Sequence, residues 1–292
     1  MQKIVPYLWY DKEAVEAATM YTGLFENSAI NQINHLSDTP SGDVDMVDFQ
    51  LAGLQISAIS GGPFFKFNSA LSFMVACENQ KEVARLYNEL VKDGEILMPL
   101  GEYPFSKYYG WFQDRYGLNW QLIMVENMEE QPRIRPVLLF SDKMCGKAQE
   151  ALNYYNEVFK ESKKGNISYY EKDKGSDPRA NINYGELKFE DIQFVMMDHG
   201  VGGSDSFNEA VSFMISCDTQ EEIDYYWEKL SFVPEAEQCG WVKDQFGVSW
   251  QVVPSIMGKI FEESTEEQAA KVTQAFLEMK KFDIKALEEA AK

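Results

Sequence analysis

Two hydrophobic periods alternate along the chain. Apolar runs of strand length at 4–10 and 134–140 each precede a stretch whose apolar residues recur every three or four positions, the period of one helix face. In the first stretch these are Ala14, Ala17, Ala18, Tyr21, Leu24 and Phe25, and Ala148, Ala151, Leu152, Tyr155, Val158 and Phe159 correspond to them one for one. The pattern then predicts strands near 28–36, 44–52 and 54–60, with residues 52–54 as a hairpin turn. It restarts with a strand at 69–77, a capping box from Asn79 to Glu82, and a helix presenting Val83, Leu86, Tyr87, Leu90 and Val91 on one face. The equivalent helix begins at Thr219 and Glu222 and presents Ile223, Tyr226, Trp227 and Leu230. Strands near 95–100, 109–114 and 118–125, the last two joined by a turn at 115–117, complete a second βαβββ unit.

The chain is written twice. Residues 68–77 (NSALSFMVAC) match 208–217 (NEAVSFMISC), and 110–121 (GWFQDRYGLNWQ) match 240–251 (GWVKDQFGVSWQ). Repeats this long fix the domain plan: residues 1–128 and 133–258 as two similar domains, joined near 129–132. The fold class expected is α+β, with four βαβββ units. Residues 264–292 add a C-terminal helical extension, where a capping box from Ser264 to Glu267 and apolar Ala269, Val272, Phe276 and Met279 predict one docked helix. The copies differ before their first shared tryptophan. Leu90 to Gly110 spans twenty positions and Leu230 to Gly240 only ten, and the longer segment carries Tyr103, Phe105, Tyr108 and Tyr109.

Composition narrows the function classes. Of 292 residues, 45% are hydrophobic, enough for real cores, and the net charge of −20 repels nucleic acid and anionic membrane surfaces. With no apolar run of bilayer length and no signal-peptide pattern at the start, a cytoplasmic protein is expected. Four cysteines without a CxxC pair and two isolated histidines, His35 and His199, do not form a metal-ligand pattern. Buried thiols and loop-end or surface histidines are the expected roles.

Several motifs invite a chemical reading. Gly200–Ser204 looks like a nucleotide loop, but a strand-like run follows it, so no helix N-terminus is available to hold a phosphate or an adenosyl group. Asp114 and Asp244 open Asp-x-x-Gly turns, where the carboxylate bonds turn N–H groups. Trp120 and Trp250 are expected in the core, which turns their neighbours Gln121 and Gln251 to the opposite sheet face.

The paired βαβββ units resemble the vicinal-oxygen-chelate superfamily, which includes glyoxalase I, extradiol dioxygenases and bleomycin-resistance proteins. Gly61–Pro63, the 68–77 segment and the 110–121 motif resemble its PhnB-like branch, often labelled 3-demethylubiquinone methyltransferase. The resemblance implies two glyoxalase-like domains arranged as an internal pseudo-dimer, within a chain that can be monomeric. Each cavity would combine the first unit of one domain with the second unit of the other. Strand register puts the superfamily's metal-ligand positions at Pro6, Ser57 or Ala58, Ser72 and Gln121, and at Pro136, Val195 or Met196, Ser212 and Gln251. Proline, serine and neutral glutamine are poor ligands, so neither metal nor other cofactor is expected. The function expected is binding of a small molecule. The pocket would be formed by Ser72, Gln121, Pro136 and Met196, with Ser212 and Gln251 as ligand-binding residues of the second cavity. Tyr103, Phe105, Tyr108 and Tyr109 either form the lid of the first pocket or pack against the neighbouring domain. An enzyme of the same fold, whether lyase, dioxygenase or the methyltransferase of the label, is a second reading, and a structural or protein-interaction module a third.

Overall fold

The computed structural model describes residues 2–39, 42–171 and 177–292. The first βαβββ unit comprises β1 (Ile4–Tyr10), α1 (Ala14–Leu24), β2 (Ala29–Thr39), β3 (Gly42–Leu51) and β4 (Leu54–Ser60). The second comprises β5 (Leu71–Cys77), α2 (Gln80–Leu90), β6 (Glu95–Tyr103), β7 (Ser106–Gln113) and β8 (Asn119–Met124). Repeat two supplies β9 (Ile134–Phe140), α3 (Ala148–Val158), β10 (Lys163–Tyr169), β11 (Ile182–Phe189) and β12 (Ile192–Asp198). Its second unit is shortened to β13 (Val211–Cys217), α4 (Gln220–Leu230), β14 (Trp241–Lys243) and β15 (Ser249–Pro254). Helices α5 (Ile256–Glu263), α6 (Glu266–Glu278) and α7 (Ile284–Ala290) follow. The fold class is α+β, and among the described residues no helix is long and apolar enough to cross a membrane.

Contacts divide the chain into two compact units that cut across the repeats: Pro6–Val211, and Ser212–Lys292 with the N-terminal residues through Val5. The larger unit holds an eight-stranded sheet in the order β10-β11-β12-β9-β5-β8-β7-β6. Its centre joins the repeats, because β5 of repeat one pairs antiparallel with β9 of repeat two, Phe73 opposite Pro136 and Met74 opposite Arg135. The second half of one repeat and the first half of the other thus share one ladder. In the same unit β1 runs parallel to β4, and β3 and β2 continue outward antiparallel. The β3–β4 turn puts Ala52 at φ 47° and Gly53 at φ 92°, the doubly left-handed pair that a two-residue hairpin needs. In the smaller unit β13 lies parallel to β15, with β14 antiparallel on the other side of β15.

One face of the eight-stranded sheet is covered by helices and is apolar. Tyr87 of α2 meets Phe112 edge-on at 5.0 Å, and Trp120 packs against Tyr21 of α1 at 5.2 Å. At the other end Phe159, at the end of α3, stacks on Phe189 at 4.3 Å, and Phe189 on Phe194 at 4.6 Å. Each such fully buried side chain contributes about 1.5–3 kcal/mol of transfer free energy.

Helix starts follow the sequence with small displacements. Asn79 Oδ1 accepts the Glu82 N–H at 3.1 Å, but the returning Glu82 carboxylate takes the Glu78 N–H at 2.9 Å, one residue before the cap. Thr219, Glu222 and Asp218 repeat this arrangement. The C-terminal box is also displaced, since Thr265 and Gln268 form it rather than Ser264 and Glu267. The extension at 264–292 is two helices instead of one, with Val272, Phe282 and Leu287 buried, and α5 precedes it. The aromatic segment of repeat one is likewise not a lid loop. It is the β6–β7 hairpin, at one edge of the eight-stranded sheet.

Candidate functional site

The two matched turns are built alike. Asp114 Oδ1 accepts the N–H groups of Tyr116 (2.9 Å) and Leu118 (3.1 Å), while Oδ2 accepts Trp120 Nε1–H (2.9 Å) and the Tyr21 hydroxyl (2.5 Å). Asp244 takes Phe246 N–H, Val248 N–H and Trp250 Nε1–H at 2.9, 3.0 and 2.8 Å. Both tryptophans are buried. These aspartates hold the turn and aim the indole at the core.

Because side chains alternate along a strand, fixing Trp120 on the helix side puts Gln121 on the other face. Gln121 Nε2 donates to Ser72 Oγ at 2.9 Å, and its Oε1 accepts the Tyr109 hydroxyl at 2.8 Å. All three residues are buried, and burial holds the Tyr109 phenol above its ordinary pKa, so it remains the donor. Tyr109 also meets Tyr103 edge-on at 5.5 Å and Phe105 at 5.0 Å, and those two rings stack at 5.7 Å. Three of the four aromatics expected together are therefore together. Tyr108 is not, because it alternates with Tyr109 and stands on the helix side, where Gly110 abuts Tyr87. Ser212 and Gln251 reproduce the hydroxyl–amide pair at 2.9 Å within the smaller unit.

Pro136 and Met196 do not line this inner face. Pro136 is registered with Phe73 on the helix side, and Met196 alternates with Val195, which clusters with Met74 and Val137 on the inner side. Of the two alternatives on β12 it is Val195 that faces inward, and on β9 the expected register is one residue off, a slip that turns the side chain over. In place of Pro136 the inner face receives Arg135, which the ligand-position reading passes over. Arg135 is 1% exposed. From β9 it reaches across β12 to β11, where its Nη1 donates to the Tyr184 hydroxyl (2.9 Å) and Glu186 Oε1 (3.0 Å). The Tyr184 hydroxyl donates in turn to Glu186 Oε1 at 2.6 Å, and burial keeps that phenol protonated. Arg135 Nη2 meets the Met74 sulfur at 3.4 Å, and its Nε is buried without a hydrogen-bond partner. A sequence signal existed: Arg135 is the one charge in the run 134–140, at the place where repeat one has Val5.

Gln121, Met74 and Arg135 lie in one row across β8, β5 and β9. With neighbouring strands about 4.8 Å apart, the Gln121 and Arg135 backbones stand about 10 Å from each other. Ile123, Val137, Val195 and Met197 make the surrounding floor apolar. This donor set does not fit a chelated divalent ion. Ser72 and Gln121 are neutral, the guanidinium repels a cation, and among the described residues no group of three or more His, Cys, Asp and Glu could hold a metal.

The remaining candidates are structural. All four cysteines are free, and burial pushes the thiols of Cys77 and Cys217 up to about 12, so neither is a thiolate. His35 is exposed beside Asp45 at 2.9 Å, and His199 follows the end of β12. The loop at Gly200–Ser204 leads on to β13, not to a helix.

No curated protein matches the chain. Among solved structures, a PhnB protein from Bacillus cereus is 37% identical over 42% of this chain and 100% of its own length, with a TM-score of 0.40. Two point mutants of maize (Zea mays) glyoxalase I align with 90% and 89% of this chain and 97% and 95% of theirs, at 11% identity and TM-scores of 0.55 and 0.53. At that identity the likeness concerns the fold alone, which is that of glyoxalase I. The family model described as 3-demethylubiquinone-9 3-methyltransferase matches residues 2–123 and again residues 132–253, so the chain belongs to that family, in a tandem form.

Proposed function

We propose that the inner face of the eight-stranded sheet binds a small organic molecule in the cytoplasm, without a chelated metal. One observation carries this reading: the sheet's helix side is packed with apolar side chains, while Ser72, Gln121, Tyr109 and Arg135 are buried on its other face. Burying an amide, a hydroxyl and a guanidinium costs free energy that apolar residues would not. Convergent polar groups over an apolar floor, with aromatic rings at one end, are what an orienting ligand site needs. The reaction in the family's name gains no support from these residues, since the glycine loop offers no helix N-terminus to an adenosyl group.

The test is a thermal-shift screen of metabolites on protein purified without a histidine tag, together with native mass spectrometry and metal analysis. A ligand present at about 100 times its Kd stabilises the folded chain by about 2.7 kcal/mol. The stabilising compound is expected to lose its effect in Gln121→Leu and Phe105→Ala and to keep it in Tyr108→Ala, whose ring lies on the other face. Stoichiometric metal retained after dialysis, or a ligand response indifferent to Gln121, would sink the reading.

A further inference from the structure

Arg135 holds more donors than its neighbours use. Both of its strong acceptors, Tyr184 and Glu186, sit on Nη1. Nε and Nη2 form a separate edge of the planar group, with two parallel N–H bonds suited to a pair of acceptor oxygens. On that edge Nε has no partner, and Nη2 has only the Met74 thioether at 3.4 Å, a weak acceptor on a flexible side chain. Glu186 cannot turn to serve it, because its other oxygen accepts the Asn166 N–H at 3.1 Å. A buried guanidinium with a two-donor edge left over is a costly arrangement that a carboxylate oxygen pair would satisfy.

We infer that Arg135 anchors the ligand of this face through a carboxylate, bound bidentate at Nε and Nη2, and that the ligand is a small monocarboxylate with an apolar or aromatic body. The inference rests on the binding reading above. The carboxylate displaces the Met74 sulfur from Nη2. The body then lies along the row toward Gln121, whose backbone stands about 10 Å from that of Arg135 across two strand spacings. Beyond it, on β7, stands Tyr109 with its two companion rings.

The probes are 3-phenylpropanoate, 3-phenylpropanamide and 3-phenylpropanol, titrated calorimetrically into the full chain. The carboxylate is expected to bind at least about tenfold more tightly than the amide or the alcohol. In Arg135→Lys, which keeps a charge for Glu186 but lacks the two-donor edge, that preference should shrink to about twofold or less. The double variant Arg135→Gln with Glu186→Gln removes both charges together and should lose the preference in the same way. In the wild-type chain the Arg135 Nε–H resonance should move downfield on adding 3-phenylpropanoate, a readout that does not depend on any variant folding. Equal affinity for acid and amide, or an unmoved Nε–H resonance, overturns the carboxylate assignment and leaves the binding reading standing. Failure of all three probes to bind overturns this ligand class, and with no hit in the metabolite screen the binding reading falls as well.

Discussion

The second halves of the two repeats, β5–β8 and β13–β15, share an inner motif and differ at its border. Each keeps the buried Ser–Gln pair at 2.9 Å, the aspartate-held turn and the indole bond. Each also keeps a helix-start glutamate paired with the cation that precedes a first strand, Glu82 with Arg133 and Glu222 with Lys3. Beyond the motif they part. Repeat one continues β7 into the hairpin with β6, while repeat two has only three residues of β14, and there the C-terminal extension takes over. Cys239 and Gly240 donate their N–H groups to Met279 and Lys280 carbonyls at 2.9 and 2.8 Å, and Phe282 packs so close to Gly240 that a Cβ there would stand 2.5 Å from its ring. A strand edge can be satisfied by a ladder or by the end of a helical segment, but the chemistry differs. Where Cys239 sits, repeat one has Tyr109, whose hydroxyl fixes the Gln121 amide.

If the shared motif is the structural constant, Asp114→Ala should destabilise by roughly 4 kcal/mol, since it strands two buried side-chain donors and two turn N–H groups. Urea unfolding measures this, and an unchanged midpoint would show that the turn holds without its carboxylate. Phe282→Ala should cost roughly 3 kcal/mol, as large-to-small changes at buried aromatics do, and should raise hydrogen exchange at Cys239 and Gly240. Unaltered exchange there would mean that the extension does not guard this edge. Tyr109→Phe should cost about 1 kcal/mol through the lost hydrogen bond to Gln121, against about 0.5 kcal/mol or less for Cys239→Ser, both read as melting temperatures. Equal losses would erase the chemical distinction between the two borders.

The smallest effect concerns pH. Partial burial raises the Glu222 carboxyl, but its bonds to Lys3 and to the Asp218 N–H outweigh this and hold it below the usual glutamate value. A lowered folded pKa contributes stability that is full above the unfolded value and is lost as pH falls through the folded one. Lys3→Met should therefore remove a few tenths of a kcal/mol at neutral pH and flatten the acid limb of the stability curve. A limb as steep as the wild type's would assign it to other carboxylates.

The repeat, the four units and the helix faces were legible because they rest on local periods. Tyr21, Tyr155, Trp120 and Trp250 are buried as their spacing requires. The face of each strand residue was not legible in β9, where all seven residues are buried. With no alternation of polar and apolar positions, Pro136 and Met196 could be exchanged with Arg135 and Val195 without violating any pattern. The hairpin in 98–109 was hidden for a related reason: register shifts between Ile96 and Met98, between Met98 and Gly101, and between Gly101 and Tyr103 break the two-residue period. The extension read as one helix because neither proline nor glycine marks its break, which follows Glu278.

The pairing of β5 with β9 has a consequence for how such a chain can be divided. Cut between β8 and β9, the first repeat would present the β5 edge with unpaired N–H and C=O groups flanked by fully buried, largely apolar side chains, a template for association with another copy. An isolated half would be obliged to assemble, and the tandem chain makes that junction a matter of covalent connection rather than of concentration. Mutations at Phe73 and Pro136 would then act in the half-chain as dimerisation defects and in the full chain as folding defects.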